Sequence, residues 1–130
     1  MTFYKKKQKE NYGNEKITHL CFYGYQHRSK LERAVCDLIR FRELAGELQH
    51  VKHEVSIYLT DARIQYIADF ECREVKTGST IFIEAKGYES PIWPIKKKLY
   101  KFYGEHPLEI WGGTHARLAR QETIFPRGWK

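Results

Sequence analysis

The chain has 130 residues and a mass of 15.5 kDa, a length that predicts one domain with a hydrophobic core of its own. Its 23 lysines and arginines outnumber its 16 aspartates and glutamates, and the net charge of +7 favours an acidic partner, nucleic acid before an anionic membrane. With 42% hydrophobic and 15% aromatic residues it is not a disordered tail protein, and no apolar run reaches the roughly 18–20 residues of a membrane span. The charged start has no apolar stretch behind it, which argues against a signal peptide, so a cytoplasmic location is expected.

The first 16 residues are polar and rich in lysine, and they predict a flexible basic arm ahead of a single domain over 17–130. Lys5, Lys6 and Lys7 are expected either to follow a phosphate backbone or only to keep the chain soluble. A short strand is predicted near His19–Tyr23, followed by a loop.

The clearest helix signal begins at Ser29. Ser29-Lys30-Leu31-Glu32 has the form of a capping box, in which a serine at the N-cap is followed three residues later by a glutamate. Apolar residues then recur every three or four positions, and Gly46 is expected to end the helix or to lie in its last turn.

Three strands are predicted next, roughly Lys52–Leu59, Arg63–Val75 and Thr80–Lys86, and Lys76-Thr77-Gly78-Ser79 is a hairpin turn signal between the last two. A second helix is predicted from Pro94, whose fixed φ suits a helix start.

The second helix is expected to bury Ile95, Leu99 and Phe102 and to turn its lysines to solvent. A fourth strand is predicted at Pro107–Trp111, and Thr114 predicts a short last helix through Ala119. The order helix–strand–strand–strand–helix–strand predicts one α/β domain with a sheet of about four strands.

Cysteine and histidine residues give no metal signal in the sequence. Cys21, Cys36 and Cys72 are an odd number with wide spacing and no CxxC pair, which favours buried free thiols over disulfides or a zinc knuckle. His50 and His53 form an HxxH without further ligands at a useful spacing, and we interpret them as solvated polar surface.

Alternation along the second and third strands brings charged residues together. Apolar residues of paired strands must share a face, and the turn allows two registers, which oppose Asp69 either to Glu84 or to Lys86. In both registers the three charged side chains lie on the face away from Phe70 and Ile83, with Cβ atoms about 5–8 Å apart.

Two carboxylates and a lysine at this range suit a hard divalent cation such as Mg²⁺, which takes oxygen ligands and can activate water at a phosphoryl group. The lysine could position or deprotonate that water. An ordinary exposed salt bridge across the strands accounts for the same pattern.

Asp69, followed after 14 residues by Glu84-Ala85-Lys86, resembles the PD-(D/E)xK signature of nucleases. The capping-box helix, the stretch Tyr66-Ile67-Ala68-Asp69-Phe70 and the lysine run from Lys96 are similar, in that order, to short phage-encoded nucleases related to Holliday-junction resolvases. The resemblance covers roughly residues 25–111. It implies a restriction-endonuclease-like fold with a mixed central sheet flanked by helices.

The resemblance also implies roles at matching positions. Asp69 and Glu84 would bind the metal ion together with the backbone carbonyl of Ala85, and Lys86 would orient or activate water. Glu32 would match the family's helix glutamate, which adds a metal or water contact, although its place in the capping box also accounts for it.

The basic face of the second helix fits the same function. Lys96, Lys97, Lys98 and Lys101 have no acidic residue among them, and we expect phosphate contacts there and at Lys30, with a solvated helix face as the alternative. Aromatic side chains nearby, Trp93, Tyr100 and Trp111, could stack on unpaired bases, although core packing is favoured for Trp111.

These features together predict a Mg²⁺-dependent endodeoxyribonuclease, with Mn²⁺ able to substitute, which cuts branched DNA such as Holliday junctions. A symmetric homodimer is expected because junction resolution needs two matched cuts, and no small-molecule cofactor or membrane is expected. If the gene belongs to a phage, the protein would act in the host cytosol. The alternatives are a restriction or transposon-end type nuclease, and a non-catalytic DNA-binding protein on the same fold.

Overall fold

A computed structural model describes residues 19–129, which form a five-stranded mixed sheet and two helices. The elements in chain order are α1 (Lys30–Leu44), β1 (Leu48–Leu59), β2 (Ile64–Glu74), β3 (Thr80–Ala85), α2 (Trp93–Tyr103), β4 (Leu108–Thr114) and β5 (Arg117–Ile124). The strands lie in the order β1-β2-β3-β4-β5, with β3 and β4 parallel and all other neighbours antiparallel. The predicted α/β class is confirmed, with five strands rather than about four.

The predicted basic arm, with Lys5, Lys6 and Lys7, lies outside the described residues. Among residues 19–129, neither helix has the length and apolar character that a membrane crossing requires.

The N-cap half of the predicted capping box forms at the start of α1, whereas the Glu32 carboxylate contacts His27 and Arg28. The Ser29 hydroxyl accepts a hydrogen bond from the backbone amide of Glu32 at 3.1 Å, which satisfies one of the donors that a helix start leaves unpaired. The helix ends at Leu44 with Ala45 as its C-cap, and Gly46 follows with φ of 79°. Val35, Cys36 and Ile39 form its buried stripe.

The segment before α1 is a tight turn, and the strand predicted near His19–Tyr23 is wrong. An isolated bridge joins Leu20 to Gln26, and the backbone amide of His27 donates to the carbonyl of His19 at 2.9 Å. Gly24 stands at φ of 79°, where a glycine meets no steric penalty, and this allows the chain to reverse within a few residues.

The helix predicted from Thr114 to Ala119 is also wrong, because the chain turns there into β5. The Thr114 hydroxyl accepts a hydrogen bond from the amide of Arg117 at 3.1 Å. A threonine makes the same contact at a helix N-cap, three residues ahead of the donor, so the local signal is shared by both structures. Pairing of β5 with β4 decides between them.

Two hydrophobic clusters cover the two faces of the sheet. Phe82 and Ile83 are neighbours in β3 and point to opposite faces, the first towards Trp93 and Tyr100 of α2 and the second towards Val35 of α1. The helices therefore cover opposite faces, and the sheet is buried on both sides at its centre.

The alternation of side chains between the two faces of the sheet is interrupted in β1 and β2 at Glu54 and Asp69, which lie opposite each other. In β2, Ala68 belongs to the α2 cluster and Phe70 to the α1 cluster, although regular alternation would put both on one side. His53 pairs with Phe70 and Val55 with Ala68, and Glu54 between them has φ of 51°, outside the extended region. The expectation that all even residues of β2 share a face is therefore wrong, and Asp69 lies at the point of change.

Helix α2 is rotated relative to the prediction. Ile95 and Phe102 are 57% and 49% exposed, whereas Trp93 and Tyr100 are buried. Leu99 packs against the same cluster as Trp93 and Tyr100, so this part of the predicted stripe is confirmed, and the Tyr100 hydroxyl donates to the backbone carbonyl of His106.

Candidate active site

Asp69 and Glu84 lie side by side at the centre of the sheet. Phe70 pairs with Ile83, and continuing this register by one residue sets Asp69 opposite Glu84, which is the first of the two predicted registers. Both carboxylates are buried, with 5% and 7% of their surfaces exposed. The exposed salt bridge considered as an alternative is therefore excluded.

Asp69 is held by a backbone amide and by an arginine. Its Oδ2 accepts a hydrogen bond from the amide of Ala85 at 2.8 Å, and its Oδ1 lies 3.5 Å from Nη2 of Arg28. Burial and the charges of Glu84 and Glu32 raise the pKa of Asp69 well above its ordinary value, because these effects outweigh the amide and the guanidinium. The positive groups around Asp69 are therefore not sufficient to compensate the burial of its ionised form.

Glu84 is held by Tyr66 and Lys86. The Tyr66 hydroxyl donates to Oε1 at 3.0 Å, and Nζ of Lys86 donates to Oε2 at 3.1 Å. Burial still raises the pKa of Glu84 against these two partners. Nζ of Lys86 also lies 4.0 Å from the centre of the Trp93 ring, so a cation–π contact fixes the lysine at the carboxylate.

Glu32 reaches the same site from the first turn of α1. Its Oε1 lies 3.5 Å from Nδ1 of His27, and its Oε2 lies 3.3 Å from Nε of Arg28. Burial alone would raise the pKa of Glu32, but the contacts with His27 and Arg28 outweigh it and the pKa is lowered. Its backbone amide donates to the Ser29 hydroxyl, while its carboxylate is directed to His27 and Arg28, which places that carboxylate at the site.

The charges of this site fit a divalent cation. Three carboxylates face two basic side chains, Arg28 and Lys86, so the carboxylates outnumber the basic groups by one. Each of the six carboxylate oxygens has a donor within 3.5 Å: the nitrogens of His27, Arg28, Ala85 and Lys86 and the hydroxyl of Tyr66. A hard cation would therefore take its oxygens by replacing Arg28 or Lys86.

Sequence reasoning did not identify Arg28, His27 or the role of Tyr66. The i,i+4 spacing of Arg28 and Glu32 is a sequence signal that could have identified Arg28. Tyr66 and Glu84 are 18 positions apart in the sequence, and only the pairing of β2 with β3 brings them together.

The structure separates the predicted lysines into two groups. Lys97 pairs with Glu122 of β5 at 2.5 Å, and Lys96 donates to the backbone carbonyl of Gln65. The other three lysines are exposed: Lys30, Lys98 and Lys101. Lys97, for which a phosphate contact was expected, therefore has an acidic partner within the fold.

Trp93 and Tyr100 are buried, so the expectation that they stack on bases is wrong. Trp111 packs at the edge of the α1 cluster and donates from Nε1 to Glu109 at 2.8 Å, in agreement with the core packing favoured for it.

The three cysteines are buried and free, as predicted. The interpretation of His50 and His53 as solvated surface is wrong, because both side chains are only partly exposed. The ring of His53 stacks on Tyr25 with centroids 4.3 Å apart, and burial, with the charges of His50 and His27, lowers the pKa of His53 to about 3. This imidazole is neutral at physiological pH.

Comparisons with known proteins found no matching family model, no similar curated protein and no similar solved structure. A function has therefore to be inferred from the residues of the site and from the fold that brings them together.

Proposed function

We propose that the chain is a metal-dependent endodeoxyribonuclease with a restriction-endonuclease-like core. The observation that carries the proposal is the burial of Asp69 beside Glu84, with Lys86 hydrogen-bonded to Glu84 and Glu32 arriving from α1. A buried pair of carboxylates lowers stability unless it is compensated, and such groups are retained where the chemistry needs them. The order and spacing of Asp69 and Glu84-Ala85-Lys86 in the sequence also support a nuclease of this class.

Mg²⁺ is the proposed ion, with Mn²⁺ as a substitute, and its ligands would be Asp69, Glu84 and the backbone carbonyl of Ala85, with Glu32 as a further contact. When bound, the ion would make coordinated water more acidic and neutralise charge on the phosphoryl oxygens.

The protein's own groups position the reactants. Lys86, fixed between Glu84 and Trp93, would orient the attacking water through its ammonium group. Tyr66 fixes the Glu84 carboxylate through its hydroxyl. Attack on phosphorus with departure of the 3′ oxygen would leave 5′-phosphate ends.

The proposed substrate is branched duplex DNA such as a Holliday junction. The net charge of +7 and the exposed Lys30, Lys98 and Lys101 support binding to phosphates. Two matched cuts in one junction need two sites, so the active form would be a homodimer. A restriction or transposon-end type nuclease would use the same site on unbranched DNA.

One observation favours a second candidate, a DNA-binding protein without catalysis. The guanidinium of Arg28 lies within 3.5 Å of both Asp69 and Glu32, so this arginine partly neutralises the carboxylates without a metal ion. A site held in this way could bind DNA without hydrolysing it.

Cleavage of labelled four-way junction, duplex and single-stranded DNA, with Mg²⁺ or with EDTA, tests the proposal. We expect paired cuts in the junction with Mg²⁺, and a loss of at least about 100-fold in rate for Lys86→Ala and Asp69→Asn, as is typical for removal of a catalytic group. Lys76→Ala, an exposed lysine in the β2–β3 turn, is the matched control and should retain the rate.

The outcomes separate the candidates. Cleavage of all three DNAs would keep the nuclease and reject the junction preference. Tight binding by the wild type without cleavage in Mg²⁺ would reject catalysis and support the binding protein. Asp69→Asn should remain folded in EDTA, because the amide oxygen can still accept from Ala85 while one buried charge is removed.

A further inference from the structure

Four side chains with zinc-binding chemistry converge between α1, β1 and the turn before α1. Their ligand atoms all lie within 4.8 Å of one another, and we call this set the Cys2His2 cluster: Cys21, His27, Cys36 and His53. In tetrahedral zinc sites the bond lengths of about 2.3 Å to sulfur and 2.0–2.1 Å to nitrogen set neighbouring ligand atoms about 3.4–3.8 Å apart. Cys36 Sγ is already 3.5 Å from Nε2 of His53, and Cys21 Sγ is 3.9 Å from it.

The fold holds these ligands from three separate elements. Cys21 and His27 lie on the two arms of the turn before α1, which is fixed by a backbone hydrogen bond from the Cys21 amide to the Tyr25 carbonyl at 3.1 Å. Cys36 lies on the buried face of α1, and His53 lies on β1 just before that strand changes face. A bound ion would therefore join the turn, α1 and β1.

The surroundings are those of a closed structural site. Cys21, His27 and Cys36 are buried, and Tyr25 stacks on the ring of His53. Phe70 packs against both histidine rings, with centroids 5.8 Å from His27 and 5.4 Å from His53. Two thiolates and two imidazoles in a dry tetrahedral pocket select zinc over the hard cations.

Glu32 supplies the outer contact that zinc-binding histidines usually make. Its Oε1 lies 3.5 Å from Nδ1 of His27, so Nε2 is the nitrogen of that ring that would bind the ion. A carboxylate on the remote nitrogen fixes the tautomer and the orientation of a ligating imidazole. The same carboxylate contacts Arg28, which reaches Asp69.

We propose that the Cys2His2 cluster binds one structural zinc ion, which fixes the turn before α1 and thereby positions Glu32 and Arg28 at the candidate active site. The zinc ion is distinct from the proposed catalytic Mg²⁺, and the inference does not depend on nuclease activity.

Metal analysis of the purified full-length chain is the first test. We expect about one zinc ion per chain for the wild type and a loss of at least about tenfold for Cys21→Ser and Cys36→Ser. Cys72→Ser is the matched control, since Cys72 is equally buried in the α1 cluster but is not one of the four ligands, and it should retain zinc. Asp69→Asn should also retain zinc, which separates this site from the proposed Mg²⁺ site.

Cobalt substitution of the wild type tests the ligands even if the cysteine variants fail to fold. After removal of zinc with a chelator, added Co²⁺ should give the intense visible absorption of a tetrahedral ion with thiolate ligands, and added Zn²⁺ should abolish it. Chelation should lower the thermal midpoint of the wild type and of Cys72→Ser, because a site formed only in the folded state stabilises that state.

Three results would overturn the inference: wild type that neither contains zinc nor gives the cobalt spectrum, equal loss of zinc in Cys72→Ser, or a disulfide between Cys21 and Cys36 in protein purified under reducing conditions. DNA that remains uncut while zinc is retained would reject the proposed nuclease and leave the zinc site in place.

Discussion

At the scale of single residues, Arg28 links two of the three carboxylates of the candidate active site. Its guanidinium lies 3.3 Å from Glu32 and 3.5 Å from Asp69, yet 40% of the side chain is exposed. An arginine placed in this way can leave the carboxylates for a phosphate oxygen at little cost, because it is partly in water already. Metal binding and DNA binding would therefore favour each other at this residue.

Glu43 gives a prediction at the same scale. Burial works against the charged form of Glu43, but hydrogen bonds from the Tyr23 hydroxyl and the His50 amide, together with Arg40, lower its pKa below the ordinary value. A carboxyl group with a lowered pKa stabilises the fold fully above its unfolded pKa of about 4.3 and loses that contribution as the pH falls. Glu43→Gln should thus cost about 1 kcal/mol at pH 7.

Urea unfolding at pH 7 and at pH 3 measures this effect. The difference in free energy of unfolding between wild type and Glu43→Gln should shrink at pH 3, because the contribution of a carboxyl group with a lowered pKa is lost progressively as the pH falls below its unfolded pKa. Glu89→Gln, at an exposed loop position, is the control and should change little at either pH. A constant difference between the two proteins would contradict the assigned role of the Glu43 charge.

At the scale of elements, a partly buried ion pair joins α1 to the sheet. Arg42 donates to both oxygens of Glu109 on β4, at 2.8 and 3.3 Å, and Trp111 donates to the same carboxylate at 2.8 Å. Arg42 therefore lies on the apolar stripe of α1 because a partner 67 positions away in the sequence neutralises it. The polar contact sets where the helix sits on β4, which packing of Val35 and Ile39 alone would define less sharply.

The β4–β5 hairpin gives a prediction at this scale. Gly113 has φ of 93°, and a Cβ atom there would lie 2.3 Å from the backbone carbonyl oxygen of Arg117. Gly113→Ala should thus destabilise the fold by more than about 2 kcal/mol, since it combines a positive φ with a clash that involves backbone. Thermal unfolding followed by circular dichroism measures the loss.

Gly128→Ala is the matched control for this substitution. Gly128 has φ of 82°, but nothing lies within 4 Å of its added Cβ, so only the conformational cost of about 1 kcal/mol applies. Equal destabilisation by the two substitutions would mean that the hairpin does not have the described geometry. A helix at Thr114–Ala119 would instead make an alanine at 113 harmless or favourable.

At the scale of the whole molecule, part of the positive charge is neutralised by acidic side chains within the fold and part of it faces solvent. Lys97 is neutralised by Glu122, whereas Lys98 and Lys101 face solvent beside Arg127 and Phe102. The net charge of +7 thus acts on a partner mainly through groups that the fold leaves exposed.

Salt dependence of DNA binding tests this distribution. We expect Lys98→Gln with Lys101→Gln to reduce the slope of log K against log salt concentration by about 1.8, which is the loss of two phosphate contacts. Fluorescence anisotropy of a labelled four-way junction measures this slope in EDTA, at KCl concentrations from about 50 to 200 mM. Lys76→Gln should leave the slope unchanged, and an unchanged slope in the double variant would place the DNA elsewhere on the surface.

Much of the fold could be predicted from local patterns in the sequence. The capping box at Ser29, the turn after Glu74 and the alternation in β3 each depend on neighbours within a few positions, so local chemistry was sufficient to find them. The same alternation predicted that Asp69 and Glu84 lie together, because a hairpin converts sequence spacing into contact. The motif around them supplied the proposed chemistry.

Tertiary structure decided what depends on residues distant in the sequence. The face change at Asp69, the rotation of α2 and the strand after Thr114 each follow from long-range packing or pairing that a local pattern does not contain. The Cys2His2 cluster is the clearest case, since its members are spread from residue 21 to residue 53 at spacings typical of no metal motif. Only the packing of a turn, a helix and a strand makes them neighbours, because contact between side chains is set by the path of the backbone in space.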